Sequence, residues 1–381
     1  MRNIPKPAGK YAVGTTAFTS GEERDEVLSP GTKRRISARV YYPVMKEAVD
    51  GLEKVQYMSR DMFKGLKDAF KLPLNYDKET AAGNNISECY KDAPRIVGEK
   101  FPLIIFNHGY QSFREGNSFL CIELASHGYV VMTVGHPLEG VCTEYDDTSP
   151  VFCDKKLLKT ANKPFIPNFI ALNKLCRMKG SDKELTEEID KYQEKFGRFL
   201  IKRLPEWEKD IYTALSHAKM SMGDMIDLNK GIGLTGHSFG GAIAYYLCMK
   251  DPQFKCGVNI DGMLFGNYND RIMDKPFLMI VCEEHEVLAA RVCSMHSAPA
   301  YKAVFRDMKH VGFSDMKHAI PEFMSGMTGK LDADTMHEHL CKCHLEFFNT
   351  HLKEIGKTVD VGSDDVVRFE SYIPDEASNR K

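Results

Sequence analysis

The sequence lacks any long apolar run. No stretch approaches the roughly 18 consecutive apolar residues that a membrane span needs. Its first residues, MRNIPKPAGKYAVG, contain neither the apolar core of a signal peptide nor the glycine at position 2 that N-myristoylation requires. From these absences we expect a cytoplasmic protein.

An excess of charge of one sign is also lacking. The 51 Lys and Arg residues nearly balance the 53 Asp and Glu residues, so the formal net charge is −2. Nucleic-acid binding needs a basic surface field, and this balance gives no overall field of that kind. The GxGxxG fingerprint and the P-loop are missing too. We therefore expect no nucleic-acid partner and no cofactor.

The cysteines do not form the even, regularly spaced set of a disulfide framework. There are 11 of them, and Cys121, Cys248 and Cys282 lie within apolar strand or helix patterns. This pattern predicts buried, reduced thiols.

A weak indication of a metal site lies near the C-terminus. Three possible ligands would share one helix face there: His337, Cys341 and His344. Because no second ligand cluster stands out, we interpret this segment as an amphipathic closing helix and expect no metal.

Apolar strands alternate with helices through most of the chain. Strands are predicted at residues 11–16, 34–43, 101–107, 129–134, 232–234, 256–260, 276–282 and 301–306, and helices at 118–125, 204–218, 241–249 and 336–352. Continuous apolar strands such as FPLIIFN (101–107) are typical of a parallel sheet covered on both faces. The fold class is therefore α/β, with a mostly parallel central sheet and helices on both faces.

Two segments interrupt this alternation within what we expect to be a single domain over residues 1–381. Residues 137–204 are helical in pattern, and we interpret them as a lid inserted over the carboxyl edge of the sheet. A smaller insertion is expected at residues 44–98, where Met62, Phe63, Leu66 and Phe70 fall at helical spacing. That helix either packs on the core, lines the mouth of a pocket or contacts lipid.

The pentapeptide Gly236-His237-Ser238-Phe239-Gly240 lies between a short apolar strand and an apolar helix. A Gly-x-Ser-x-Gly turn in this context lifts one serine hydroxyl above the sheet edge, where a base can reach it. The alternative is a turn whose serine only caps the helix, but a cap needs no glycine on both sides. Ser238 is therefore the candidate nucleophile.

A serine nucleophile needs a base, expected in the loop after the last strand. His310 lies four residues beyond the apolar strand that ends at residue 306 and is the best match. His318 lies eight residues farther on, and His296 precedes that strand.

The base needs a carboxylate to orient it, and two strand ends offer one. Asp261 ends the strand after the nucleophile helix, directly before a glycine. Glu283, Glu284 and Glu286 end the next strand, but their segment is more typical of a solvated loop. The pattern favours Asp261 and leaves the glutamates open.

The oxyanion of the reaction needs backbone N–H donors that are fixed in advance. One candidate is the amide of Phe239, at the start of the helix after the serine. The other is the amide of Tyr110, in the turn after strand 101–107, where Gly109 permits a tight bend. His108 is expected to pack beneath this turn.

Several segments together resemble the platelet-activating factor acetylhydrolases of the plasma and type II intracellular kind, within the α/β-hydrolases. The segments are GKYAVG (9–14), RVYYP (39–43), FNHGY (106–110), LASHGYVV (124–131) and GHSFGGA (236–242). The resemblance covers roughly residues 9–350. It implies an α/β-hydrolase fold with a helical lid insertion, and it favours Asp261 as the acid. Ser238, His310, Tyr110 and Phe239 keep their roles. Tyr110 replaces the small aliphatic residue usual after His-Gly.

The expected function is a serine carboxylic ester hydrolase that works through a Ser-His-Asp triad and an acyl-enzyme. The resemblance implies removal of short acyl groups from a lipid-like or small-molecule ester, with weak membrane-surface contact as a further option. Two alternatives stay open: an acyltransferase that uses the same acyl-enzyme, and a non-catalytic binding protein on a hydrolase fold.

Overall fold

The structure is a computed structural model that describes residues 4–27, 29–72, 74–147, 149–161, 164–268, 271–319 and 325–374. The strands are β1 (Ala12–Asp25), β2 (Lys33–Val44), β3 (Lys54–Gln56), β4 (Ile86–Lys91), β5 (Leu103–Asn107), β6 (Val130–Val134), β7 (Cys142–Thr143), β8 (Val151–Phe152), β9 (Ile232–His237), β10 (Phe254–Ile260), β11 (Phe277–Cys282), β12 (Ala300–Phe305) and β13 (Val367–Tyr372).

The helices are α1 (Arg60–Phe70), α2 (Tyr76–Ala81), α3 (Ser118–Ser126), α4 (Lys155–Ala161), α5 (Phe165–Cys176), α6 (Asp182–Tyr192), α7 (Arg198–Met222), α8 (Phe239–Lys250), α9 (Ala290–Ser294), α10 (Met316–Ala319), α11 (Ser325–Thr328) and α12 (Ala333–His351). Short 3-10 helices follow β11 (Glu283–Ala289) and β12 (His310–Phe313).

Within the described residues, eleven strands form one sheet in the order β13-β12-β11-β10-β9-β5-β6-β2-β1-β4-β3. The six strands from β12 to β6 run parallel. Strand β2 is antiparallel to both β6 and β1, and β13 is antiparallel to β12. The predicted fold class, a mostly parallel sheet with helices on both faces, is confirmed.

Alternation along the strands divides the core between the two faces of the sheet. In β5, Leu103 and Ile105 pack into one cluster with α7 and α8, while Ile104 and Phe106 pack into another with α3 and α12. Successive side chains of a strand point to opposite faces, so a strand buried on both sides must be apolar throughout. This explains the unbroken apolar runs in the sequence.

Two sheet edges differ from the expectation. The 44–98 segment adds β3 and β4 beside β1, and neither strand was predicted. The chain after residue 353 was expected to be a peripheral tail, but it supplies β13 on the opposite edge. Val359, Val361 and Val367 are buried there. These valines lie in a mostly polar segment without a sustained apolar alternation, which explains why the strand was not predicted.

The 137–204 segment contains β7, β8, α4, α5 and α6 and ends inside α7, because that helix runs without interruption from Arg198 to Met222. The predicted start of this helix at 204 was therefore too late. It passes through Pro205, a residue that usually ends or kinks a helix. The idea that the segment acts as a lid stays a prediction.

The eleven cysteines are all free in the structure, and most are buried. This agrees with the expected reduced thiols. Among the described helices, none has the length and apolar character needed to cross a bilayer.

The edge strand β13 offers a test of how much the C-terminal segment contributes to stability. Val367 has no exposed surface, whereas its neighbour Val366 is half-buried. We expect Val367→Ala to lower the free energy of unfolding by about 2 kcal/mol, because it removes buried methyl groups and leaves a cavity. Urea unfolding followed by circular dichroism measures the loss. Val366→Ala is the control, and an equal loss in both variants would contradict the packing of β13.

Candidate active site

Ser238 lies at the turn between β9 and α8, with φ 56° and ψ −121°. Non-glycine residues rarely adopt positive φ, and holding one there costs of the order of 1–3 kcal/mol. Such strain persists only where the surroundings enforce it. Here the enforcing contact is the close packing of the elbow against the turn after β5.

Gly236 and Gly240 permit that close packing. A side chain on Gly240 would collide with the backbone of Asn107 at the end of β5, and one on Gly236 would collide with the backbone of Gly240. The two glycines thus let the elbow and the β5 turn approach each other. This is the physical reason for the Gly-x-Ser-x-Gly spacing.

The structure brings Ser238, His310 and Asp261 together. His310 Nε2 lies 3.0 Å from the Ser238 hydroxyl oxygen, and His310 Nδ1 lies 2.7 Å from Oδ2 of Asp261. Because an ionised carboxylate can only accept, Nδ1 carries the proton and Nε2 is free to accept from the serine hydroxyl. The three side chains form a continuous hydrogen-bonded chain.

Asp261 follows the last residue of β10 and adopts φ 54°. Its side chain has no exposed surface. Burial alone would raise the pKa of this carboxyl, but hydrogen bonds from His285 and His310 outweigh burial and hold the pKa well below its usual value. Oδ1 also accepts the backbone N–H of Cys282 at 2.9 Å. Asp261 is therefore ionised.

Among the described residues, the other carboxylates and histidines considered in the sequence do not contact Ser238, His310 or Asp261 through their side chains. Glu284 pairs with Lys309 at 2.6 Å. Glu286 pairs with Lys302 and Arg368, and Glu283 accepts the backbone N–H of Asp307 at 3.4 Å. The other candidate histidines are engaged outside this chain of contacts: His296 Nδ1 with the carbonyl of Ala298, and His318 with the ring of Phe119.

Two histidines at the site were not singled out from the sequence. His285 Nδ1 lies 2.8 Å from Oδ2 of Asp261. His237, the residue before the serine, donates from Nε2 to the carbonyl of His310 at 2.9 Å, and the centroids of the two rings lie 4.7 Å apart. Burial lowers the pKa of His237 to about 3, so it stays neutral and holds the His310 loop in place. The only available signal was position: each lies next to a strand end.

The amides of Tyr110 and Phe239 both border the serine. Tyr110 and Ser238 line one cavity, and Phe239 begins α8. Within the described chain, neither amide donates to another backbone or side-chain acceptor. The dipole of α8 adds a potential that favours an anion near the Phe239 amide.

His108 packs beneath the β5 turn, as expected. Its Nδ1 donates to the carbonyl of Gly109 at 2.8 Å, and its Nε2 accepts the backbone N–H of His136 at 3.2 Å. Burial lowers the pKa of His108 to about 3, so it remains neutral. His136 in turn stacks on Trp207 with ring centroids 3.5 Å apart.

A buried charge cluster supports His136 from below. Its Nδ1 lies 2.7 Å from Oδ2 of Asp210, which also binds Arg34 at 2.5 Å. Arg34 has no exposed side-chain surface and contacts Glu26 and Glu139 as well. Burial would raise the pKa of Asp210, but the charge and hydrogen bonds of Arg34 outweigh it and hold the pKa far below its usual value. The cluster ties β2 and α7 to the loop after β6.

A cavity of about 200 Å³ opens at Ser238 and His310. Its walls are mostly apolar and include Leu66 and Phe70 of α1 together with Met316 and Met327. Among the described residues, none from 137–204 lines it. Of the three interpretations of the 62–70 helix, the structure combines two: it packs on the core through Met62, and it lines the pocket mouth.

One group of side chains has ligand atoms close enough to hold a metal ion: Asp261, His285 and His310, all within 4.8 Å of one another among the described residues. The hydrogen bonds between these atoms account for their proximity. The three possible ligands on α12 have other contacts. Cys341 contacts His337 at 3.5 Å, and His344 Nε2 lies 3.0 Å from the Thr235 hydroxyl.

Residues 1–366 match the family described as platelet-activating factor acetylhydrolase, isoform II. The chain belongs to this family. A platelet-activating factor acetylhydrolase from Canis lupus familiaris is 24% identical over 375 residues, which cover 92% of this chain and 77% of the relative. The protein of that name from Gallus gallus is 23% identical over 378 residues, covering 92% and 83%.

A ferulic acid esterase from Streptomyces cinnamoneus has a similar structure, with a TM-score of 0.67 at 20% identity over 97% of this chain and 99% of that one. This likeness confirms the predicted α/β-hydrolase fold. Family membership identifies the chain as a carboxylic ester hydrolase.

The charge cluster beneath the β5 turn yields a stability prediction. Asp210→Asn removes one of the three carboxylates that contact the buried Arg34, and a loss of negative charge inside a buried charge cluster is costly. We expect the free energy of unfolding to fall by about 3 kcal/mol in urea unfolding followed by circular dichroism. Asp224→Asn breaks an exposed pair with Arg95 and is the control, with an expected loss below about 1 kcal/mol. Comparable losses would contradict the role of Asp210.

Proposed function

We propose that Ser238, His310 and Asp261 form the triad of this hydrolase. His310 takes the proton of the Ser238 hydroxyl as the oxygen attacks the ester carbonyl, and Asp261 stabilises the imidazolium that forms. His310 then protonates the leaving alcohol, which leaves an acyl-enzyme on Ser238. Water, deprotonated by His310, releases the acid and restores the free serine.

The observation that carries this proposal is the hydrogen-bonded chain from the Ser238 hydroxyl through His310 to Asp261, with distances of 3.0 and 2.7 Å. At one end of this chain, Asp261 remains ionised, because burial raises its pKa less than the hydrogen bonds from His285 and His310 lower it. At the other end, Ser238 is held at positive φ. A serine that only capped the helix would need neither a hydrogen-bonded histidine and carboxylate nor a positive φ.

The amides of Tyr110 and Phe239 are the proposed oxyanion donors. They are supported by their free N–H groups, by the cavity shared by Tyr110 and Ser238, and by the neutral His108 that holds the turn. Donors fixed before the reaction each lower the barrier by a few kcal/mol. No metal or cofactor is needed in this scheme.

The proposed substrate is an ester with a short acyl group, lipid-like or small. The relatives' name, platelet-activating factor acetylhydrolase, supports this choice. A cavity of about 200 Å³ is smaller than the roughly 300–1,000 Å³ typical of ligand pockets. Phe70 borders this space and is 42% exposed, so it stands where a longer chain would leave the cavity.

We also propose that residues 1–381 form one domain and that the helical segment 137–204 covers the carboxyl edge of the sheet. The contacts of α5 and α6 with the 3-10 helix after β11 support this arrangement.

The triad is tested by substitution at each member. We expect Ser238→Ala to lower kcat for p-nitrophenyl acetate by about 10⁴- to 10⁶-fold, and Asp261→Asn by about 10³- to 10⁴-fold, because the first removes the nucleophile and the second the charge that orients His310. A fluorophosphonate probe should label Ser238 in the folded wild-type protein and not in Ser238→Ala.

Glu284→Gln is the matched control for the acid, since its carboxylate pairs with Lys309 instead. Near-full activity is expected. If Asp261→Asn kept near-full activity while Glu284→Gln lost it, the acid would be the glutamate. Labelling that persisted in Ser238→Ala would refute the nucleophile.

The acyl pocket is tested by truncating its rim. Phe70→Ala opens the cavity, so the ratio of kcat/KM for p-nitrophenyl octanoate to that for the acetate should rise by about tenfold. The control is Phe169→Ala, an exposed phenylalanine on α5 outside the cavity lining. A larger change in the Phe169 variant would assign chain-length selection to the 137–204 segment instead.

A further inference from the structure

The carboxylate of Asp261 contacts a second histidine that the proposed triad does not use. Nδ1 of His285 lies 2.8 Å from Oδ2 of Asp261, and Nδ1 of His310 lies 2.7 Å from the same oxygen. A single carboxylate oxygen thus accepts from two imidazoles, while Oδ1 accepts the N–H of Cys282.

His285 reaches this position from a different strand end. It belongs to the 3-10 helix Glu283–Ala289, which begins directly after β11. Its side chain is 22% exposed, and its ring centroid lies 5.8 Å from that of His310. The two imidazoles flank the carboxylate without contacting each other face to face.

We infer that His285 is a positioning residue: its imidazole donates to the same oxygen of Asp261 as His310, holds the carboxylate in place and sets a positive charge beside the proposed triad. This inference rests on the proposed Ser238, His310 and Asp261 mechanism. It adds a fourth side chain that acts on the reaction through Asp261.

The local electrostatics support a charged His285. Burial opposes the charge, but the hydrogen bond to Asp261 and its negative charge outweigh burial and raise the pKa of His285 above its ordinary value. The thiol of Cys282 is neutral, because burial raises its pKa. Burial likewise raises the pKa of Cys176, on the packed helix α5, to about 11.

Several other charged side chains around this helix have partners of their own: Glu284 pairs with Lys309, Glu286 with Lys302 and Arg368, and Asp190 with Arg291, while Glu283 accepts the N–H of Asp307. Asp261 is therefore the anion that His285 faces directly.

A fixed cation near His310 disfavours a second positive charge. For like charges about 6 Å apart at an effective dielectric constant of about 20, the repulsion corresponds to a shift of about one to two pH units in the acid limb of the activity profile. With His285 charged, the active form of the enzyme therefore persists to a lower pH. Removing the cation should therefore move the acid limb of the activity profile to higher pH.

The test compares His285→Gln with His285→Lys in kcat/KM profiles for p-nitrophenyl acetate from pH 5 to 9. Gln can still donate to Asp261 but carries no charge, so we expect its acid limb to move up by about one pH unit. Lys keeps the cation, so its limb should stay near that of the wild type. If His285 had a purely structural role, both variants would show a lower maximum of kcat/KM and an acid limb at the wild-type pH. That result would overturn the inference.

A direct measurement covers the case in which a variant does not fold. In the wild-type protein labelled with ¹⁵N-histidine, NMR should find both nitrogens of His285 protonated at pH 7. A neutral His285 would overturn the inference. Ser238→Ala separates the two proposals: retained activity there refutes the triad, whereas lost activity with an unmoved limb in His285→Gln refutes only the role of His285.

Discussion

The loops at the carboxyl edge of this sheet meet around one buried carboxylate. Asp261 has no exposed side-chain surface, and an ionised group in such a place costs several kcal/mol unless donors surround it. The donors are the Cys282 amide, His285 and His310, so β10, β11 and the loop after β12 all converge on one side chain. The Asn259 side chain closes the same turn by bonding both the N–H and the carbonyl of Gly262. The need to pair this charge explains why these loops meet where they do.

A second buried charge cluster stands beneath the other half of the site. Arg34 and Asp210 join β2 to α7, and His136 links them to the turn that carries Tyr110. Buried ion pairs contribute little net stability, but breaking one is costly, so they fix geometry more than they add free energy. The strained Ser238 lies between the two clusters, where Gly240 meets the β5 turn without room for a side chain. Rigid supports on both sides allow the elbow to keep its positive φ.

The sequence was sufficient for features that depend on local pattern. Unbroken apolar strands predicted the parallel sheet, the glycines around Ser238 predicted the elbow, and strand ends predicted the positions of Asp261 and His310. The rest depends on contacts between distant segments. Strands β3, β4 and β13 are short or largely polar and form only because a sheet edge offers partners. His285 lies among three glutamates, and nothing in that local pattern tells which of four polar side chains turns inward. Pro205 does not end α7, since packing of Trp207 and Ile211 in the core keeps that helix continuous.

The two segments that interrupt the α/β alternation meet the site from different sides. Helix α1 of the 44–98 segment packs on the core through Leu66, which also lines the cavity with Phe70 one turn later. The size of the cavity is therefore coupled to core packing. Helices α5 and α6 instead contact the 3-10 helix that carries His285. Any displacement of those helices would reach Ser238 through His285 and Asp261, because the cavity wall is made by other elements among the described residues. The cavity at Ser238 and the surroundings of His285 are thus built by separate parts of the chain.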